Sequence, residues 1–347
     1  MSLPSLPNGL EWSVGEFENI DELYTFLADN YVEDSEEKFR FHYTKDLLEW
    51  ALRPPGWKAE WLVGIRRSVT NELVGFIAAV PAMVCVEQLV ESMVYINFLC
   101  VHKTSRDLRL TPVLIREITR RTQSNGIQRA VYTAGIDLQN FMITSSQYWH
   151  RFLNPKKLMI TGFMNSHISA DQAEIVYNVP KIRSLAKLRP LHSRDVPQVT
   201  ALLNDDLRKR VVHTVFTNED VKHYFIPRHD VIESYVIEAS DAKITDFMSF
   251  YRLDSNILGN STYDSLKAAF MYHSVNTQTS FKTMLLDILT ILKNKNYDLF
   301  NMLDVSADPS FLVDLKFRPG SGQLRYYMHN SSTPLSLDPS EVGVILI

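Results

Sequence analysis

One order of elements occurs twice in this chain, and that repetition narrows its possible folds more than anything else in it. Hydrophobic periodicity predicts helices over 20–30 and 45–51, strands over 61–66, 73–81 and 95–102, a helix over 112–123 and a strand over 129–134. The series returns with helices over 194–203 and 218–224, strands over 234–238, 244–252 and 268–275, a helix over 280–293 and a strand over 297–303. Corresponding elements lie roughly 170 residues apart throughout, which predicts duplication of one α/β unit.

The 347 residues suffice for two such units, expected at 1–169 and 170–347. The segment 170–189 reads as the connection, with Pro180 and Pro190 bracketing a basic stretch, and it lacks the Gly/Ser composition of a flexible linker. A hydrophobic fraction of 45% and a charged fraction of 22% are those of a soluble globular protein. The net charge of −4 gives no global attraction to nucleic acid or anionic membranes, so any phosphate site must be local. The two cysteines, Cys85 and Cys100, sit in apolar runs, too few for a structural zinc site and expected to be buried reduced thiols. The first residues lack the pattern of a signal peptide, and the apolar run 73–86 is short and interrupted by Pro81, so a cytoplasmic location is expected.

The chemistry starts where the buried strand pattern Tyr95-Ile-Asn-Phe-Leu-Cys-Val101 runs into a basic turn. His102, Lys103, Arg106 and Arg109 supply cations, with Asp107 and Leu108 between them, and Pro112 is expected to open the following helix. Free N–H groups, here those of Leu110 and Thr111, and the helix dipole converge on such a point, which predicts a phosphorylated, nucleotide-like ligand. The end of the chain, Val342-Gly-Val-Ile-Leu-Ile347, is apolar where tails are usually polar, which predicts that its carboxylate enters the interior.

Asn97-Phe-Leu-Cys-Val-His-Lys103 resembles the signature of the glycylpeptide N-tetradecanoyltransferase, or N-myristoyltransferase, family. Further matches include Phe39-Arg-Phe41, Trp50-Ala-Leu-Arg-Pro-Pro-Gly-Trp57, Pro112-Val-Leu-Ile-Arg-Glu-Ile-Thr-Arg-Arg121, Val131-Tyr-Thr-Ala-Gly135, Tyr148-Trp-His-Arg151, Ser265-Leu-Lys-Ala-Ala269 and Thr277-Gln-Thr279. The resemblance implies an α/β fold of two fused acetyltransferase-like (GNAT) halves with pseudo-twofold symmetry sharing one continuous mixed sheet. It implies myristoyl-CoA as acyl donor, no metal, and the N-terminal glycine of peptides and proteins as acceptor. Residues His102 to Pro112 would hold coenzyme A. The amides of Phe98 and Leu99 would stabilise the oxyanion, the Ile347 carboxylate would act as base, and Asn97 and Thr133 would place the amine.

For the peptide, the resemblance points to Tyr31, Val32, Glu33, Asp34, Glu36, Phe39, Phe41, Tyr43, Tyr148, His150, Tyr251, Ser255, Asn301, Ser321 and Gly322. The acids among them are expected to receive a lysine; as a bare charge run they would be a solvated face. The chain departs from the family at Tyr95, where Glu is usual, at Leu108, where a basic residue is common, and at Ser321, which replaces an Asp. Three alternatives fit the same residues: an acyl-enzyme on Cys100 with His102 two residues away, an acyl-CoA N-acyltransferase of different chain length or acceptor, and a catalytically silent peptide-binding protein. A monomer with transient ribosome or membrane association and no nucleic-acid partner is expected.

Overall fold

The computed structural model describes residues 2–14, 17, 20–31, 38–138, 142–331 and 335–347. Its main sheet has 14 strands, and twelve of them follow one path. From one edge the order is Leu10–Val14, Leu62–Arg67, Leu73–Val86, Leu89–Val101, Ala130–Ala134 and Arg318–His329. It continues with Met142–Phe152, Leu299–Leu303, Ala268–Asn276, Ile244–Arg252, Ile232–Glu238 and Leu188–Pro190. Read from either edge the pattern is the same, with one parallel pair in each half, Leu89–Val101 beside Ala130–Ala134 and Ala268–Asn276 beside Leu299–Leu303. At the centre each series surrenders its last strand. Arg318–His329 pairs with Ala130–Ala134 of the first series, and Met142–Phe152 pairs with Leu299–Leu303 of the second.

Each half covers one face of its sheet with a long amphipathic helix. Leu110–Ser124 lays Leu110, Leu114 and Ile118 on Val63, Ile77 and Val94, and Phe281–Asn294 lays Met284, Leu285 and Ile288 on Met248, Phe250 and Phe300. On the other face, Asp21–Asn30 and Lys45–Leu52 share one core with Val196–Leu207 and Asn218–Phe225, joining Leu23, Leu48 and Trp50 to Val199, Leu203 and Phe225. The end of the chain is stitched into this assembly: Val342–Gly343 runs parallel to Val212–Thr214, which pairs with the end of Leu73–Val86.

Several expectations need correction. The helix after the basic turn begins at Leu110, two residues before Pro112, with Arg109 as its left-handed N-cap at φ 52°. The expected connection contains a helix, Ala170–Val176, nucleated by a reciprocal capping box between Ser169 and Gln172. The central strands Met142–Phe152 and Arg318–His329 were not predicted, because residues such as Thr144, Ser146 and Gln147 read as loop. The sheet accommodates them by pairing: Ser146 Oγ donates to Asp304 Oδ1 at 2.7 Å, and the Gln147 N–H donates to the same oxygen at 3.1 Å.

Candidate active site

The first local anomaly lies in the signature strand. Phe76 pairs with Cys100 but Ala78 pairs with Asn97, so Phe98 and Leu99 together oppose one residue, Ile77. This is a β-bulge, and Phe98 adopts φ 54°, a conformation that costs a non-glycine residue about 1–2 kcal/mol. Packing offsets the strain: the Phe98 ring is buried, 5.2 Å from that of Tyr43 and 5.7 Å from that of Tyr31. Leu99 packs on the helix side with Ile77, while Phe98 and Cys100 lie on the opposite side. Burial pushes the Tyr31 phenol up, and the Phe98 backbone pulls the other way.

The second series has a bulge of its own, between the pairs Met248–Ser274 and Phe250–Met271. There the polar backbone is answered internally. The His273 N–H donates to Ser249 Oγ at 3.1 Å, and the same hydroxyl donates to the His273 carbonyl at 3.0 Å. The residue opposite the bulge is Ser249 here and Ile77 in the first series; Ala78, one position further, lies on the face away from the helix, as Ser249 does between Phe247 and Tyr251.

A similar contrast separates the two helix N-termini. Before Leu110–Ser124, residues Lys103–Leu108 form a 3-10 turn, and no side chain caps the helix. Lys103, Arg106, Asp107, Leu108, Arg109, Thr111 and Pro112 are exposed, while Leu110 is buried. Asn30 braces the turn from behind, accepting from the Lys103 N–H at 3.0 Å and, through its carbonyl, from Arg106 Nη2 at 3.3 Å. Before Phe281–Asn294, Ser280 caps the helix, and the buried Asp246 carboxylate accepts from the N–H groups of Thr277, Gln278 and Thr279 at 2.9–3.1 Å. An uncapped helix beside Lys103, Arg106 and Arg109 has the donors and charge for a diphosphate.

Beside the bulge opens a cavity of about 380 Å³ lined by Tyr95, Asn97, Thr214 and Tyr272, and by Ile345, Leu346 and Ile347 of the chain end. Tyr95, at the position where the resemblance predicted Glu, shares a hydrogen bond of 2.6 Å with Thr214. Thr133 is half-buried on the neighbouring strand, two residues beyond the Val131 that pairs with Tyr95, as Asn97 is two beyond Tyr95.

An aromatic wall continues from Phe98. Tyr31, Tyr43 and Phe41 follow one another at 5.5 and 6.2 Å, and Phe41 leads through Phe270 to Tyr251 at 5.9 and 5.5 Å. Burial raises the phenols of Tyr31, Tyr43, Tyr251 and Tyr148, the last to about 12, so all are neutral hydroxyls. Ser255 joins this wall by pairing with Phe41. Further along, His150 Nδ1 lies 2.6 Å from Asn301 Oδ1, and burial lowers its imidazole against the opposing pull of that bond. Phe163 bridges Phe39 and His150 at 5.4 Å from each ring, and a Cβ on Gly320 would lie 2.3 Å from His150 Nε2. Phe163 carried no signal in the sequence, whereas Gly320 stands beside Ser321 and Gly322 in the segment that departs from the family.

Ser321 and Gly322 are exposed, in an irregular part of Arg318–His329 where Gln147 Nε2 donates to the carbonyls of Gly320 and Gly322 at 2.7 and 2.9 Å. Val32, Glu33, Asp34 and Glu36 lie outside the described residues. Burial pushes the Cys100 thiol up to about 12, despite Arg106 and Lys103, and His102 Nδ1 is engaged by Thr104 at 2.9 Å. That removes the thiolate a covalent route through Cys100 needs. Among the described residues, no cluster of three or more His, Cys, Asp or Glu is placed to hold a metal, and no helix is long and apolar enough to cross a membrane.

Comparison with known proteins agrees with this geometry. Residues 2–145 match the family described as Myristoyl-CoA:protein N-myristoyltransferase, N-terminal domain, and residues 161–345 match the corresponding C-terminal domain. The chain is 45% identical over 349 residues to glycylpeptide N-tetradecanoyltransferase 1 of Arabidopsis thaliana, covering 99% of this chain and 80% of that one. It is 43% identical to glycylpeptide N-tetradecanoyltransferase 2 of Danio rerio, covering 99% and 70%. The structure of Saccharomyces cerevisiae N-myristoyltransferase with bound myristoyl-CoA superposes with a TM-score of 0.92 at 36% identity, covering 100% of this chain and 87% of that one. A GCN5-related N-acetyltransferase from Anabaena variabilis, at a TM-score of 0.53 and 14% identity over 92% of this chain and 72% of that one, shares the fold alone. The matched models span both halves of the doubled sheet, and the chain belongs to the myristoyl-CoA:protein N-myristoyltransferase family.

Proposed function

We propose that this chain transfers the myristoyl group of myristoyl-CoA to the amine of an N-terminal glycine by direct attack on the thioester. The observation that carries the reading is the cavity in which Asn97, next to the bulge, meets Ile345, Leu346 and Ile347. The donor's phosphates fit the uncapped helix N-terminus with Lys103, Arg106 and Arg109, through N–H groups at Leu110 and Thr111. His102, Asp107, Leu108 and Pro112 shape the same segment. The thioester oxygen, anionic as the amine adds, takes hydrogen bonds from the Phe98 and Leu99 N–H groups exposed by the bulge.

The attacking amine must be neutral, and an unperturbed α-ammonium has a pKa of about 7.7–8. The Ile347 carboxylate accepts its proton, standing half-buried at the end of a run in which Val344 and Leu346 are buried. Asn97 and Thr133 hold the amine while the N–C bond forms; the C–S bond then breaks, and the sulfur leaves as the thiol with the proton that the adduct's nitrogen loses in becoming the amide. The acceptor peptide lies along Tyr31, Phe39, Phe41, Tyr43, Tyr148, Tyr251 and Ser255 toward His150 and Asn301, with Glu33, Asp34 and Glu36 as partners for a lysine.

A thiol-release assay tests the reading with myristoyl-, decanoyl- and acetyl-CoA against peptides that begin with Gly or Ala. Myristoyl-CoA with the Gly peptide is expected to turn over, and the Ala peptide to be very poor, because a methyl group crowds a site shaped for a bare amine carbon. Equal turnover of both peptides, or tight peptide binding without thiol release, overturns it.

A further inference from the structure

The last residues reach the cavity because the chain just before them is held at one point. Arg210 follows the helix Val196–Leu207, and its Nη1 donates to three carbonyls: Val305 at 3.0 Å, Ser340 at 3.2 Å and Val342 at 3.3 Å. One guanidinium therefore ties the chain end to the loop after Leu299–Leu303. Its surroundings make the hold rigid. The His213 ring donates from Nδ1 to the Arg210 carbonyl at 2.9 Å, and the Val211 N–H donates to the Glu341 carbonyl at 2.9 Å. The tail strand lies directly on the arginine stem, since a Cβ on Gly343 would come within 2.7 Å of Arg210 Cδ.

Beyond this clamp the run is located by apolar packing. Among the described residues, the hydrogen bonds that fix the tail end at Gly343, and Val344 and Leu346 are 0% and 7% exposed. Apolar contacts are non-directional and tolerate sliding, so the axial position of residues 344–347 is set by the short pairing of Val342–Gly343 and by the carbonyls that Arg210 holds together.

We propose that Arg210 is a positioning residue for the reaction: it fixes where the Ile347 carboxylate meets the acceptor amine. This rests on the reading of that carboxylate as the base. Displacing a reacting group by about 1 Å costs on the order of a hundredfold in rate, and Arg210 is the group whose loss permits it.

The test uses the full chain with Arg210→Ala and Arg210→Lys. Arg210→Ala is expected to lower kcat by on the order of a hundredfold while KM for myristoyl-CoA stays within about twofold, because the donor site is elsewhere. Arg210→Lys, which keeps the charge and can reach the nearest carbonyls, is expected to recover most of the loss. Carboxypeptidase should release Ile347 from folded Arg210→Ala faster than from the parent chain. Should Arg210→Ala fail to fold, Arg210→Gln is compared with Arg210→Lys by the same two readouts. A folded Arg210→Ala with the parent kcat, an equal loss in donor KM, or a Lys variant no better than Ala overturns the assignment. A parent chain extended by a few residues past Ile347 separates the two ideas. If the extended enzyme keeps full kcat, the base reading falls and Arg210 with it; if it is dead while Arg210→Ala turns over normally, Arg210 alone falls.

Discussion

Placing a hydroxyl at residue 78 should silence this enzyme with a single oxygen atom. Ser249 shows what such a group does: in the second series it accepts from the His273 N–H at 3.1 Å and donates to the His273 carbonyl at 3.0 Å, closing that bulge from within. On the same face of the first series Ala78 stands one position past the bulge, fully buried and paired with Asn97. In Ala78→Ser the new Oγ should take the Phe98 N–H away from the thioester oxygen. Losing one oxyanion donor costs about 2.7–4 kcal/mol, or roughly 10²–10³ in kcat. Stability should change little, since a hydroxyl bonded on both sides repays its burial to within about 1 kcal/mol. The assay is thiol release at saturating myristoyl-CoA and Gly peptide, with the melting temperature and donor KM measured alongside. Ala78→Cys, close in shape but a weak acceptor, should lose much less. A folded Ala78→Ser that keeps the parent kcat would refute the role given to the Phe98 N–H.

Three further outcomes are expected. Replacing Arg106 and Arg109 together with Ala should raise KM for myristoyl-CoA far more than KM for peptide, with the gap narrowing at high salt as screening weakens the parent's advantage; an unchanged donor KM removes the phosphate assignment. Cys100→Ser should keep most of kcat, because the thiol is buried and raised to about 12; a trapped Cys100 thioester in the parent enzyme would contradict this. His273 is buried and its imidazole is held down to about 3, against about 6.5 in an unfolded chain, so protonation favours unfolding. Its contribution is complete above about pH 6.5 and is lost as pH falls, at up to about 1.4 kcal/mol per unit. Urea midpoints from pH 7 to 5 should fall less steeply in His273→Phe; parallel curves would show that His273 is not responsible.

The repeated series was legible because helix and strand periodicity is a local property, and the offset of the halves needs no knowledge of contacts. The basic turn that leads into a helix was legible for the same reason: its cations and helix start lie in one stretch, although the left-handed Arg109 moved the start to Leu110. The two central strands were hidden, because Thr144, Ser146 and Gln147 look like loop until Asp304 is seen to satisfy them. The bulge was hidden more deeply. Phe98 reads as an ordinary core strand residue, and only its neighbours Tyr31 and Tyr43 make a left-handed phenylalanine tolerable. The aromatic wall draws on Tyr31, Tyr43, Tyr148 and Tyr251 from four distant stretches, which no spacing in the sequence could gather; the family resemblance did that.

The exchange of strands at the centre of the sheet has a consequence for how the molecule comes into being on the ribosome. Ala130–Ala134 can pair early with Leu89–Val101, but its other edge is met by Arg318–His329, with Thr133 opposite Tyr326, so the growing chain must carry an unpaired strand edge through roughly 190 residues of further synthesis. Closing contacts across so long a stretch is slow, because the entropy of the intervening loop is lost before any pairing repays it. The first half can build its helices and its hairpin early, but its sheet stays open on one side until Arg318–His329 has been made. A polypeptide released early would present that edge, with its Ala130, Val131 and Tyr132, to other chains.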